Sequence, residues 1–270
     1  MTIRVDRATE LESLCYALYA ETRDFWESLS KDRGFVTHPF RFRILESLPR
    51  LRPELLILRT APAVEVDDPP NEIEKWPDRC IYNAANEPEF YAEAEKVRQY
   101  GRPAGWRVCQ TLGQLFGQDY QLYLANAVAL NMFFFKAPYF GARSWVGNST
   151  LIRNALEVYC QSRAHALIEM IRPRAIVTLG LQLFDSLGGD GAESLLFRGV
   201  DYGSCLMKRK LSNGIPTLGM FHPTSVWVAD KDRQRMSEGL HNFLDTNLRS
   251  NSAQGDSEGF CVDPSLLRSN

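Results

Sequence analysis

The stretch from Gly214 to Trp227 reads GIPTLGMFHPTSVW, and the fold follows from how it is read. Ile215 to Phe221 is a short apolar run entered from Asn213-Gly214 and left at His222-Pro223, the signature of a buried strand bounded by turn residues. Proline at 223 ends the strand and disfavours helix at the residue before it. His222 is thereby placed on a loop at the strand's C-terminal edge, where open α/β sheets bind their ligands. Upstream, RPRAIVTLG at 172–180 predicts a second buried strand ending in glycine, with a helix after it from Leu181 to Leu187. Two such strands with a helix between them point to a parallel unit.

Further upstream, LRPELLILRTAPA at 51–63 carries a continuous apolar run, Leu55 to Leu58, after Pro53. A strand covered on both faces in a parallel sheet has this look. QLYLANAVALNMFFFKAP at 121–138 predicts a further buried strand and its exit loop. Helical spacing is read over Arg7–Ser30, Glu87–Tyr100, Gly105–Phe116, Asn148–Ile171 and Asp230–Leu248, with apolar residues three and four apart on one face. Gly188 to Lys210 is a glycine-containing excursion that ends in the basic run Lys208-Arg209-Lys210 and predicts a hairpin beside the strand leading to His222.

The RPRAIVTLG strand followed about 35 residues later by GIPTLGMFHPTS resembles the C-terminal half of the uracil-DNA glycosylase superfamily. There a strand ending in Leu-Gly precedes a strand ending in His-Pro-Ser. The resemblance covers Leu51 to Leu248. It implies an α/β fold: a three-layer α/β/α sandwich with a central, mainly parallel four-stranded sheet. Residues 1–50 are then a helical appendage, and 249–270, rich in Ser, Asn and Gly, a disordered tail.

The superfamily's first motif follows its first strand, as a glycine, a variable residue and Ala-Pro-Gly or Ala-Pro-Ala. Ala61, Pro62 and Ala63 match it. Arg59 stands where the family has glycine, which alters how closely the backbone approaches a target nucleotide. Thr60 stands where some families carry the carboxylate or glutamine that handles the attacking water. Glu65, Asp67 and Asp68 follow on the same loop, and clustered carboxylates raise one another's pKa and suit a general base or the stabilisation of a cationic sugar. The other reading is a solvated acidic loop before Pro69-Pro70.

By the same resemblance, an asparagine at the end of the second strand reads the base edge. An amide suits that work because it offers a donor and an acceptor together. Asn126 and Asn131 are both candidates; the MFFFKAP that follows Asn131 resembles the exit segment of many relatives and favours it. Trp76, 14 residues beyond Pro62, is near where relatives stack an aromatic on the extruded base, with Tyr82 as competitor and simple packing as the plainer role. Lys136 beside Phe133 to Phe135, and Thr224 and Ser225 after His222, are candidate phosphate contacts. Val226-Trp227 stands where relatives insert an apolar wedge into the duplex.

These residues together imply base excision. A nucleotide is extruded, Asn131 reads it, and His222 stabilises the charge that develops on the base as the glycosidic bond breaks. Arg59 and Thr60 depart from the uracil-processing pattern, so a modified or hypermodified pyrimidine, as in phage DNA, is a substrate class beside uracil. The alternative is a catalytically inactive nucleic-acid or nucleotide-binding protein on the same fold. A small-molecule hydrolase is less well supported, since the chain has no G-x-S-x-G turn, and neither a G-x-G-x-x-G loop nor a P-loop is present.

Composition sets the outer bounds. A chain of 270 residues with 44% hydrophobic content can bury one substantial core. The net charge of -2 advertises no nucleic-acid partner, so any DNA surface has to be local. Between Ala61 and Glu95 ten acidic residues face two basic ones, whereas between Lys136 and Lys210 ten basic residues face six acidic, which makes the second region the better phosphate-facing candidate. Six cysteines without a CxxC pair predict reduced thiols in a cytoplasm and neither a zinc nor an iron-sulfur centre. No apolar run approaches the ~18 residues of a membrane helix, so a soluble protein needing no cofactor or metal and no membrane is expected, with DNA as its partner.

Overall fold

The computed structural model describes residues 7–33, 42, 44–47, 49–60, 106–135, 150–189, 194–199, 205–222 and 228–249. In chain order these form α1 (Arg7–Arg33), β1 (Leu55–Arg59), α2 (Trp106–Asn126), β2 (Val128–Asn131), α3 (Thr150–Ile171), β3 (Ala175–Leu179), α4 (Leu181–Ser186), β4 (Ser194–Arg198), β5 (Cys205–Ser212), β6 (Ile215–Met220) and α5 (Asp230–Leu244), whose last turn widens into a π-helical stretch, Asp245–Arg249. The helix expected over Glu87–Tyr100 and the tail beyond Arg249 lie outside the described residues.

The α/β class read from the sequence is observed. The sheet is not the four-stranded, mainly parallel one expected, however. Among the described residues six strands join in the order β2-β1-β3-β6-β5-β4. The first four are mutually parallel, and β5 and β4 are added antiparallel beyond β6. The cause is local. Asn213 and Gly214 have φ of 50° and 77°, so two consecutive left-handed residues close a tight hairpin between Ser212 and Ile215. An Asn-Gly pair between two apolar-patterned segments is a strong short-range signal for such a turn. The basic run Lys208-Arg209-Lys210 therefore belongs to a long β5 that lies directly on β6.

Two expected boundaries also shift. The segment from Gln121 to Asn126 is the end of helix α2, and only Val128–Asn131 is strand. Helix and strand meet there with only Asn126 between the apolar residues 122–125 and 127–130, and periodicity alone does not divide so short a run. α2 also runs past Phe116, where it was expected to stop, because it kinks at Gly117 (φ 62°, ψ −179°) and continues. The kink frees carbonyls that α5 receives: Ser237 Oγ donates to Leu115 O at 2.6 Å, and His241 Nε2 lies 2.9 Å from both Leu115 O and Phe116 O.

Strand residues alternate between two apolar clusters, as a pleated sheet requires. Leu56, Leu58, Val128, Leu130 and Ile176 share one with Leu11 and Leu18 of α1, Leu156 and Ile168 of α3 and Leu183 of α4. Leu55, Ile57, Ala129, Val177 and Leu218 share the other with Leu112 and Leu115 of α2 and Met236 and Leu240 of α5. β6 is drawn close to α4: a Cβ at Gly219 would lie 2.6 Å from the Phe184 ring. On the far side of the sheet the chain at 44–46 runs antiparallel to β2, with Leu45 opposite Leu130 and hydrogen bonds from Glu46 N to Ala129 O and from Asn131 N to Ile44 O, each 2.9 Å. Part of the stretch expected as an N-terminal appendage is thus stitched to the sheet itself.

Candidate functional site

The four parallel strands end in register. Arg59 is aligned with Asn131 on one side and with Leu179 on the other, and Leu179 with Met220. Neighbouring strands lie ~4.8 Å apart, so Asn131 and Met220 mark the ends of a rim three strand spacings wide. Backbone bonds carry the alignment past the strands: Met132 N to Arg59 O at 2.8 Å, Phe133 N to Thr60 O at 2.9 Å and Gly180 N to Met220 O at 2.8 Å. Thr60 and Gly180 face each other, since a Cβ at Gly180, where φ is 127°, would come 3.6 Å from Thr60 Oγ1.

Two of these apolar strands, β1 and β2, end in polar residues, and both are buried together with Glu46. Arg59 is 6% exposed, Asn131 0% and Glu46 1%. Arg59 Nη1 lies 3.2 Å from Glu46 Oε1, and Asn131 Nδ2 donates to the same oxygen at 3.0 Å. An isolated charge at this depth would cost several kcal/mol in lost hydration, so each ion requires the other. Arg59 therefore turns inward onto a carboxylate.

Glu46 is the residue that sequence reading missed. It carries no motif and sits in the segment assigned to the appendage. The available hint was weak: a single carboxylate directly after the apolar Ile44-Leu45 in RILESLPRL at 43–51.

His222 follows β6 by two residues and is half-buried. Burial pushes its pKa below the usual histidine range, and the neighbouring Arg59 guanidinium lowers it further. The imidazole is therefore neutral at neutral pH, able to donate from one nitrogen and accept at the other.

Asn126 stands elsewhere. It is the last residue of α2, before β2 begins and so at the opposite end of that strand from Asn131, and it accepts a 2.9 Å hydrogen bond from Arg50 Nη1. It does not close the second strand, the place for which the sequence made it a candidate beside Asn131. Ala61, Pro62, Glu65, Asp67, Asp68, Trp76, Tyr82, Lys136, Thr224, Ser225 and Trp227 lie outside the described residues. Of the expected site, Asn131, Arg59, Thr60 and His222 are described, all at the C-terminal end of the parallel strands.

Other features of the described residues lie away from this rim. A groove of about 820 Å³ runs between the β4–β6 strands and α5, lined by Phe197, Arg209, Pro216, Arg235 and Phe243 among others, and holds none of the candidate residues. Cys15, Cys160 and Cys205 are reduced. The Cys160 thiol accepts from Phe134 N at 3.4 Å and burial raises its pKa strongly, so it is a packing residue rather than a nucleophile. No described group of three or more His, Cys, Asp or Glu is arranged to hold a metal, and no described helix is long and apolar enough to cross a membrane. No protein-family model matches the chain, and no curated protein matches it.

Proposed function

We propose that the protein is a DNA glycosylase of the uracil-DNA glycosylase kind, built on that superfamily's three-layer α/β/α sandwich, which removes uracil or a modified pyrimidine from an extruded nucleotide. The observation that carries this reading is a neutral imidazole, His222, on the same strand-end rim as the Asn131 amide. The four mutually parallel strands within the sheet support it, as the part that corresponds to the expected parallel core. So do the residue motifs at 61–63, 172–180 and 214–225.

In this reading Asn131 pairs with the edge of the flipped base, and Trp76 and Ala61 complete its pocket. The bond from C1′ to the base nitrogen breaks with its electron pair going to the base. His222 donates a hydrogen bond to the base oxygen on which negative charge develops, a role for which a neutral donor in a dry site is sufficient. Water oxygen bonds to C1′, its proton passes to a carboxylate among Glu65, Asp67 and Asp68, and an abasic site remains. Thr224, Ser225 and Lys136 hold phosphates, and Trp227 fills the vacated stack. The chemistry draws on no metal or redox cofactor.

The test is incubation of the purified protein with duplex and single-stranded oligonucleotides bearing uracil, hydroxymethylcytosine or its glucosylated form, followed by alkaline cleavage. Strand breaks at one of these bases, lost in His222→Ala, are expected. Intact strands throughout overturn the enzymatic reading. One observation favours a second reading: the buried Arg59–Glu46 pair occupies the first-motif position and engages Asn131, as a nucleotide-binding protein that has lost turnover would allow. That reading predicts salt-dependent DNA binding with no release of base.

A further inference from the structure

The buried cluster at the end of β2 does more than neutralise charge. Glu46 Oε1 receives Asn131 Nδ2 at 3.0 Å and faces Arg59 Nη1 at 3.2 Å. The carboxylate is held in place by its own backbone. Leu45 pairs with Leu130, and the bonds from Glu46 N to Ala129 O and from Asn131 N to Ile44 O straddle that pair. Glu46 is thereby opposite Ala129, a diagonal neighbour of Asn131 across the antiparallel pairing.

An asparagine amide has two orientations related by a half-turn about its last bond, and they exchange donor with acceptor. Most structures leave that choice to the surrounding network. Here the network decides. A carboxylate facing a guanidinium accepts hydrogen bonds and donates none, so only the NH₂ end of Asn131 can be directed at Glu46. The flipped amide would set a carbonyl oxygen against a carboxylate oxygen.

This matters because uracil and cytosine differ at the edge an amide reads by the same exchange. Uracil offers a donor at N3 and an acceptor at O4, whereas cytosine offers an acceptor at N3 and a donor at N4. An amide free to turn over serves both. One that cannot turn accepts a single order and leaves the other base with unpaired polar atoms, a mismatch that discriminates far better than a difference in size.

We infer that Glu46 is a specificity-determining positioning residue, which fixes the flip of the Asn131 amide so that one donor–acceptor order, and so one of the uracil-type or cytosine-type bases, is selected. The inference rests on the glycosylase reading and on Asn131 as the base reader. Arg59 serves it by keeping the Glu46 side chain an acceptor.

The experiment compares wild type with Glu46→Gln in single-turnover base release from paired substrates of the two types, uracil with cytosine and hydroxymethyluracil with hydroxymethylcytosine. Glutamine has the same reach but turns either its NH₂ or its carbonyl toward Asn131, so it unlocks the flip. Wild type should favour one type at least 100-fold in kcat/KM, and the variant should narrow that ratio at least tenfold by gaining on the disfavoured type. Glu46→Asp, which keeps an acceptor-only group, should restore most of the ratio. A fall in both rates with the ratio unchanged marks a merely structural role and overturns the inference alone. Wild type that releases no base from either series overturns the glycosylase reading and this role with it. Should Glu46→Gln fail to fold, side-chain amide NMR of wild type decides: one pair of Asn131 NH₂ signals with a slowly exchanging proton supports the lock, and two interconverting pairs overturn it.

Discussion

His222 is the residue whose behaviour the structure constrains most sharply. Its pKa is lowered in the folded state, by burial first and by Arg59 second. The unfolded chain then binds a proton at the ordinary value near ~6.5 that the folded chain resists. The stability tied to this group is complete above that pH and is lost as pH falls through the folded value. We expect the melting temperature of wild type to decline on acidification below about pH 6.5, and His222→Gln to decline less over that window. A thermal melt series from pH 8 to 5 checks the difference. Arg59 allows a second prediction. Truncating one member of a buried ion pair strands the other, which costs about 3–5 kcal/mol, whereas replacing both with apolar residues is close to neutral. Arg59→Met should therefore be strongly destabilising, and Glu46→Leu with Arg59→Met should recover most of the loss in urea unfolding. His222, Asn131 and Arg59 were visible in the sequence because each is a polar residue closing an apolar strand. Glu46 was not, because its position depends on pairing with β2, more than 80 residues along the chain.

At the level of elements, β1, β3 and β6 were legible because strands covered on both faces are written as continuous apolar runs. β2 was drawn too long, since its run began inside α2 and the single polar residue at the junction, Asn126, was read as part of the strand. The Asn213-Gly214 hairpin was marked in the sequence, and the sequence reading took it only as the boundary of the strand that follows. Two glycines bear on tests at this scale. Gly219 is required by close approach, and Gly219→Ala would press a methyl group into Phe184, which is 0% exposed. Overpacking of this kind costs about 1–3 kcal/mol, read as a lower denaturant midpoint with the m-value unchanged. Gly117 kinks α2, and the freed carbonyls depend on Ser237 and His241 of α5. His241→Ala leaves those carbonyls short of a donor and removes the stacking of its ring on Tyr120, 4.0 Å between centroids. A loss of about 1–3 kcal/mol follows, with faster hydrogen exchange in α2 near the kink.

For the molecule as a whole, the sequence disclosed the α/β class and the edge of the sheet on which its polar residues gather. The hairpin of β4 and β5 beside the strand leading to His222 was read from it, but not its place in one six-stranded sheet with the parallel strands. The attachment of residues 44–46 to β2 was not read, because it is a pairing between distant parts of the chain that leaves no periodic trace. The overall charge of -2 says as little of a DNA partner as the large groove beside α5 does. The functional claim rests on the rim where β2, β1, β3 and β6 end. The most direct measurement is the single-turnover rate at which free base is released from an oligonucleotide carrying the preferred pyrimidine, for wild type and for His222→Ala side by side. The account predicts measurable release by wild type and a loss of about 100-fold or more in the variant, the scale of removing one preorganised donor from a developing anion. Equal rates for the two proteins, or no base released by either, would contradict it.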